Sequence, residues 1–153
     1  MRRNPQVRLT CLPEDSLLAR RKASTDFLDC YCVAADIPAR EAAKIITSFP
    51  GWARGLLLIR KFITAPFGLS QDGPDAADKL GPFPVELETE TELVAGFNDK
   101  HLDFRVSVMS RDGQVSLATW VHPHNFGGRL YLALIMPFHI MIARNALVRV
   151  ASA

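Results

Sequence analysis

The chain of 153 residues predicts one α+β domain in which a strongly twisted antiparallel sheet is closed by a long, apolar C-terminal helix. Three observations carry that expectation. Residues 84–98 and 101–124 alternate apolar and polar side chains with the period of half-buried strands. Two successive stretches, 36–49 and 52–67, carry apolar residues at helical spacing. Residues 129–151 hold hardly any polar side chain before Arg144.

A hydrophobic share of 48% and a charged share of 22% are those of a globular protein, and a chain of this length can bury one sizeable core. The 18 basic and 16 acidic side chains leave a net charge of +2, too even for a nucleic-acid footprint. The basic runs Arg2-Arg3 and Arg20-Arg21-Lys22 read as solvated surface. Cys11, Cys30 and Cys32 have no zinc spacing, and their odd number argues against a disulfide framework, so a cytoplasmic setting is expected. No apolar run of signal-peptide length follows Arg2 and Arg3. The most apolar stretch, Leu130 to Ala143, contains Pro137 and His139 and falls short of the roughly 20 residues a spanning helix needs, so no membrane span is expected.

Taken in order, residues 1–24 read as an irregular arm, with a turn of helix begun by Pro13-Glu14-Asp15-Ser16 under Leu17 and Leu18; the domain proper occupies 25–153. Phe27, Tyr31 and Val33 mark a first strand over 26–35, with Cys30 and Cys32 sharing one face. Asp36 is a cap candidate for a helix to Phe49, with Pro38 in its first turn and Ala42, Ile45, Ile46 and Phe49 on one side. Pro50-Gly51 separates it from a second helix that carries Trp52 as a packing anchor and ends near Pro66-Phe67-Gly68. Residues 69–84, rich in aspartate, glycine and proline, form a long loop. Strands over 84–90 and 91–98 turn Glu86, Glu88 and Glu90 to water.

The next two strands form a hairpin around Asp112-Gly113, the preferred pair for a two-residue turn. Pairing Arg111 with Gln114 puts Leu102, Phe104, Val106 and Val108 on one face with Val115, Leu117 and Val121, whereas a three-residue loop would mix the faces. The opposite face then sets Arg105 against Trp120, Asp103 against His122 and His101 against His124. After a Gly127-Gly128 break, residues 129–151 form either one helix through Pro137 or a strand to Met136 and a helix from Pro137.

Several short segments go further. Pro50-Gly51-Trp52 with Leu56 and Ile59-Arg60, Gly68-Leu69, Glu92-Leu93-Val94-Ala95-Gly96 running into Asp99-Lys100-His101-Leu102-Asp103-Phe104-Arg105, and Gly128-Arg129-Leu130-Tyr131 with Pro137-Phe138-His139 resemble a bacterial family, domain of unknown function 2867. The element order is similar to the helix-grip, START-like or birch-pollen-allergen-like architecture. That resemblance implies an apolar cavity between sheet and final helix, and association with a reductase that would be a separate protein, since this chain has no glycine-rich dinucleotide fingerprint.

The candidate chemistry lies at the sheet end and on the closing helix. Asp103 opposite His122, with His101 and His124 alongside, has the composition of an acid-base unit, of a metal site, or of a structural hydrogen-bonded cluster. His122-Pro123-His124 is not a metal-ligand spacing, and no metal or cofactor is expected. Arg105 opposite Trp120 reads as a stacked or anion-binding guanidinium. His139 reads as a satisfied core histidine or, beside Tyr131, as a polar anchor projecting into a cavity. The leading expectation is a binder of a small apolar or amphipathic molecule through Arg105, Trp120, Tyr131 and His139. The alternatives are an isomerase, cyclase or hydrolase using Asp103 and His122, and an interaction domain without ligand.

Overall fold

The computed structural model describes residues 5–21, 26–64 and 76–153, with residues 57 and 60–64 as backbone only. Seven strands form one antiparallel sheet: β1 Arg8–Leu9, β2 Phe27–Ala34, β3 Lys79–Leu80, β4 Phe83–Glu88, β5 Glu92–Asn98, β6 Leu102–Arg111 and β7 Gln114–Pro123, in spatial order β1-β2-β7-β6-β5-β4-β3. The helices are α1 Ala39–Thr47, α2 Gly51–Thr64 and α3 Phe126–Ala151. The fold class is thus α+β, with a helix pair after the long first strand and a long final helix.

The β6–β7 register is the one the turn chemistry dictates. Arg111 faces Gln114, Asp103 faces His122, and Asp112 and Gly113 take φ of 54° and 73°, the left-handed pair of a tight hairpin. One face of the sheet, the inner face, therefore carries Tyr31, Val33, Leu93, Ala95, Val108, Val115 and Leu117. They pack with Ala42, Ala43 and Ile46 of α1 and Ala143, Ala146, Leu147 and Val150 of α3. Arg149 of α3 fixes the join, donating to the carbonyls of Ile45 (2.8 Å) and Ser48 (2.6 Å) at the C-terminal end of α1, where helix carbonyls lack partners.

The outer face is covered by the N-terminal arm. Its segment before residue 21 is a series of turns and not a helix, but it is firmly attached. Leu18 is fully buried with Cys30, Ala118 and Trp120. Arg8 and Leu9 add a short edge strand to β2. Ser16 and Ser107 each donate to Glu92 Oε1 at 2.6 Å, and the Leu17 amide donates to its Oε2 at 2.9 Å, so a buried carboxylate is satisfied from three sides.

Several expectations are corrected. Asp36 does not cap α1; Pro38 occupies the N-cap and no side-chain hydrogen bond closes that end. The segment expected as a loop over 69–84 contains β3 and the start of β4, joined by a turn in which Gly81 has φ of 59°; residues 65–75, with the expected end of the second helix, lie outside the described residues. A register shift between Val85 and Leu87 breaks the expected alternation and leaves Leu87 exposed; Glu88 and Glu90 face water as expected, whereas the Glu86 carboxylate turns to Arg105 and Arg21, its side chain 26% exposed. Trp52 is 43% exposed and so does not anchor a core.

Gly127-Gly128 is not a break but part of the first turn of α3, capped by Asn125, whose Oδ1 accepts from the Gly128 amide at 3.0 Å. Gly128 sits so close to the His101 carbonyl that any Cβ there would overlap it. The alternative of a strand before Pro137 is not realised: the helix runs through Pro137. Nor is α3 a wholly buried core helix. Its outward side exposes Phe126, Leu130, Leu134, Phe138 and Met141. By length and composition α3 could cross a bilayer, with only 17% of its most apolar window buried, although its other side is bonded to the sheet and α1.

Candidate functional site

The two faces separate the predicted residues into two groups. On β7, Trp120 and His122 point outward with their rings stacked at an interplanar angle of 8°, and His124 follows. Asp103 is the cross-strand neighbour of His122, yet the two do not form the expected pair. His122 Nδ1 is 2.5 Å from Oδ1 of Asp26, a carboxylate just before β2 whose side chain is 1% exposed. The Trp120 indole N–H donates to the other oxygen of Asp26 at 2.9 Å. Asp103 instead lies 2.9 Å from His124 Nε2. That contact and a bond to the Lys100 carbonyl hold the His124 imidazole above its ordinary value of 6.5. His101 Nδ1 accepts from Asn125 Nδ2 at 3.0 Å, beside the helix start. Among the described residues no group of three or more His, Cys, Asp or Glu side chains is arranged to hold a metal ion.

Arg105 is buried beneath the arm, and each of its three guanidinium nitrogens is engaged. It donates to Glu86, to Asn98 Oδ1 at 2.9 Å and to the Phe104 carbonyl at 2.7 Å. Gly96, on the neighbouring strand at φ 143°, leaves room for that side chain to cross. The cation over Trp120 is Arg21 of the arm, 5.9 Å from the ring centroid, so the expected Arg105–Trp120 stack is replaced by an arm-to-sheet contact. Cys30, buried below, has its thiol pushed up to about 12 by burial and is no nucleophile at neutral pH.

Tyr131 and His139 lie on the opposite, inner side, on the sheet-facing side of α3. A single pocket therefore does not hold them together with Arg105 and Trp120. His139 Nε2 is 2.8 Å from Asp29 Oδ2, and its ring meets Phe27 edge-on at 6.1 Å. Asp29 Oδ1 is buried with no hydrogen-bond partner among the described residues. Its cross-strand neighbour is Thr119. Around this pair the inner face is only half sealed: Phe27, Phe104 and Val106 on the sheet, and Leu132, Ile135 and Met136 on α3, are partly exposed, whereas the end under α1 is closed. Phe104 also packs edge-on against Phe83 and Phe97 at 5.5 and 4.7 Å.

The sequence reading missed Asp26, Asp29, Thr119 and Glu92. For Asp29 and Thr119 a signal existed: each interrupts an apolar series, Phe27-x-x-x-Tyr31-x-Val33 and Val115-x-Leu117-x-x-x-Val121, at a position facing the core. Asp26 and Glu92 carry no such mark, because their partners are distant in sequence.

No curated protein and no solved structure matches this chain. The family model described as protein of unknown function (DUF2867) matches residues 22–146, from just before Asp26 to the buried end of α3. The chain belongs to that family.

Proposed function

We propose that the domain binds a small apolar or amphipathic molecule between the inner sheet face and the N-terminal half of α3. The observation that carries this reading is the Asp29–His139 pair set into an otherwise apolar, half-sealed face. A buried acid–imidazole pair placed there only for stability is a poor device, since apolar replacements of buried polar pairs are often neutral or stabilising. Leaving one carboxylate oxygen unsatisfied costs a further ~1–3 kcal/mol. Apolar walls with a few convergent polar groups are what small-molecule sites use.

Titration with Nile red, a neutral apolar dye, tests the reading. One dye per chain is expected, and Val106→Trp, which fills the half-sealed region, is expected to abolish binding while leaving a cooperative melt. Undiminished binding in that variant, or none in the parent, contradicts it.

A second reading is favoured by the outer face, where buried Asp26, held by the Trp120 indole, orients a His122 whose side chain is 41% exposed. That is the arrangement of an oriented general base. Turnover in a panel of activated esters and isomerisable enones, lost in His122→Asn and kept in His139→Asn, would support it; equal rates in both variants would remove it.

A further inference from the structure

We propose that the inner cleft selects amphipathic molecules whose polar end donates a hydrogen bond, an alcohol, a phenol or an amine, and turns away those ending in a carboxylate. This rests on the binding reading above and specifies its ligand class.

The polar chemistry available at the cleft is lopsided. Asp29 Oδ2 is taken by His139 Nε2 at 2.8 Å, which leaves Asp29 Oδ1 as a buried acceptor without a donor among the described residues. An imidazole that gives its Nε2 proton to a carboxylate presents, when neutral, an acceptor at Nδ1. The pair thus offers acceptors on both sides. Thr119, across the strand from Asp29, supplies a hydroxyl that adapts to either role.

Two of the three arginines of α3 are committed elsewhere, and the third, Arg129, is exposed in the first turn, about 15 Å along the helix from His139. Arg144 is held 5.7 Å from the Tyr31 ring centroid and donates to the Val7 carbonyl, and Arg149 closes the end of α1. An incoming carboxylate would therefore meet Asp29 as a like charge, while Arg144 and Arg149 are turned to other partners. A hydroxyl or ammonium group would instead complete the bond that Asp29 Oδ1 lacks, while its chain lay along Phe27, Phe104 and Ile135.

Competition against bound Nile red with decanol, decylamine and decanoate tests this at constant chain length. Decanol and decylamine are expected to displace the dye at concentrations roughly tenfold or more below decanoate, in line with a satisfied against an unsatisfied buried polar group. In Asp29→Asn, whose amide can donate, the gap between decylamine and decanoate is expected to close or invert. Equal or tighter binding of decanoate to the unsubstituted protein overturns the proposal while leaving a binding cleft in place. Failure of Nile red to bind at all removes the cleft and this inference with it. The comparison on the unsubstituted protein decides the matter even if the variant folds poorly.

Discussion

Glu92 shows how a side chain in a glutamate-rich stretch becomes structural. It opens a strand in a run of glutamates, and only the distant Ser16 and Leu17, brought over the sheet by the arm, turn it into a satisfied buried anion. Glu92→Ala strands two serine hydroxyls and an amide, so a loss of about 2–4 kcal/mol is expected in urea unfolding; a loss below ~0.5 kcal/mol would mean the arm is not anchored there. His124 gives a pH-dependent counterpart. Its folded-state pKa is raised by Asp103, so the protonated imidazole stabilises the fold fully below the ordinary value of 6.5, and that contribution is lost as pH rises through the raised value. Melting of His124→Asn against the parent should show a deficit on the acid side that vanishes at alkaline pH. The opposite trend would contradict the Asp103–His124 contact. Asp103 and His122 were legible as neighbours because register fixes strand pairs; which carboxylate each imidazole chooses was not, because Asp26 approaches from the segment just before β2.

The two sides of α3 behave differently. Leu147 is fully buried against α1 and the sheet, whereas Leu134 is 59% exposed. Leu147→Ala is expected to cost about 2–5 kcal/mol by leaving a cavity, and Leu134→Ser to stay within about 0.5 kcal/mol, both read from denaturant midpoints. A large effect at Leu134 would show that the outward stripe is covered in the native protein. Gly128→Ala is expected to be strongly destabilising, because the start of the helix would have to move away from the His101 carbonyl. The hairpin was readable in register because Asp112-Gly113 and the alternation around it point to one pairing. The helix was readable in place but not in burial, since a segment apolar on all sides does not say which side meets the sheet. The glycine pair was misread as a break because close backbone contact, like a turn, calls for glycine, and the sequence does not distinguish the two.

At the scale of the whole molecule, the sheet has one closed face and one half-open face. The arm fills the outer side with Leu18, Arg21 and the Ser16–Glu92–Ser107 network, while α1 and the C-terminal half of α3 seal one end of the inner side. What remains is the region around Phe27, Asp29, Thr119 and His139, where an apolar surface carries a buried acid and an imidazole. The order of strands, helix pair and closing helix was legible from periodicity and turn residues. The site was legible only in half, through His139 and Tyr131, because its acidic partner lies 110 residues away in sequence. The most direct test of the binding account is to map amide chemical-shift changes in labelled protein on addition of decanol. Changes clustered at Phe27, Asp29, Thr119 and His139, with Trp120 and His122 unmoved, are the predicted result. Changes centred on the outer face, or none at saturating decanol, would contradict it.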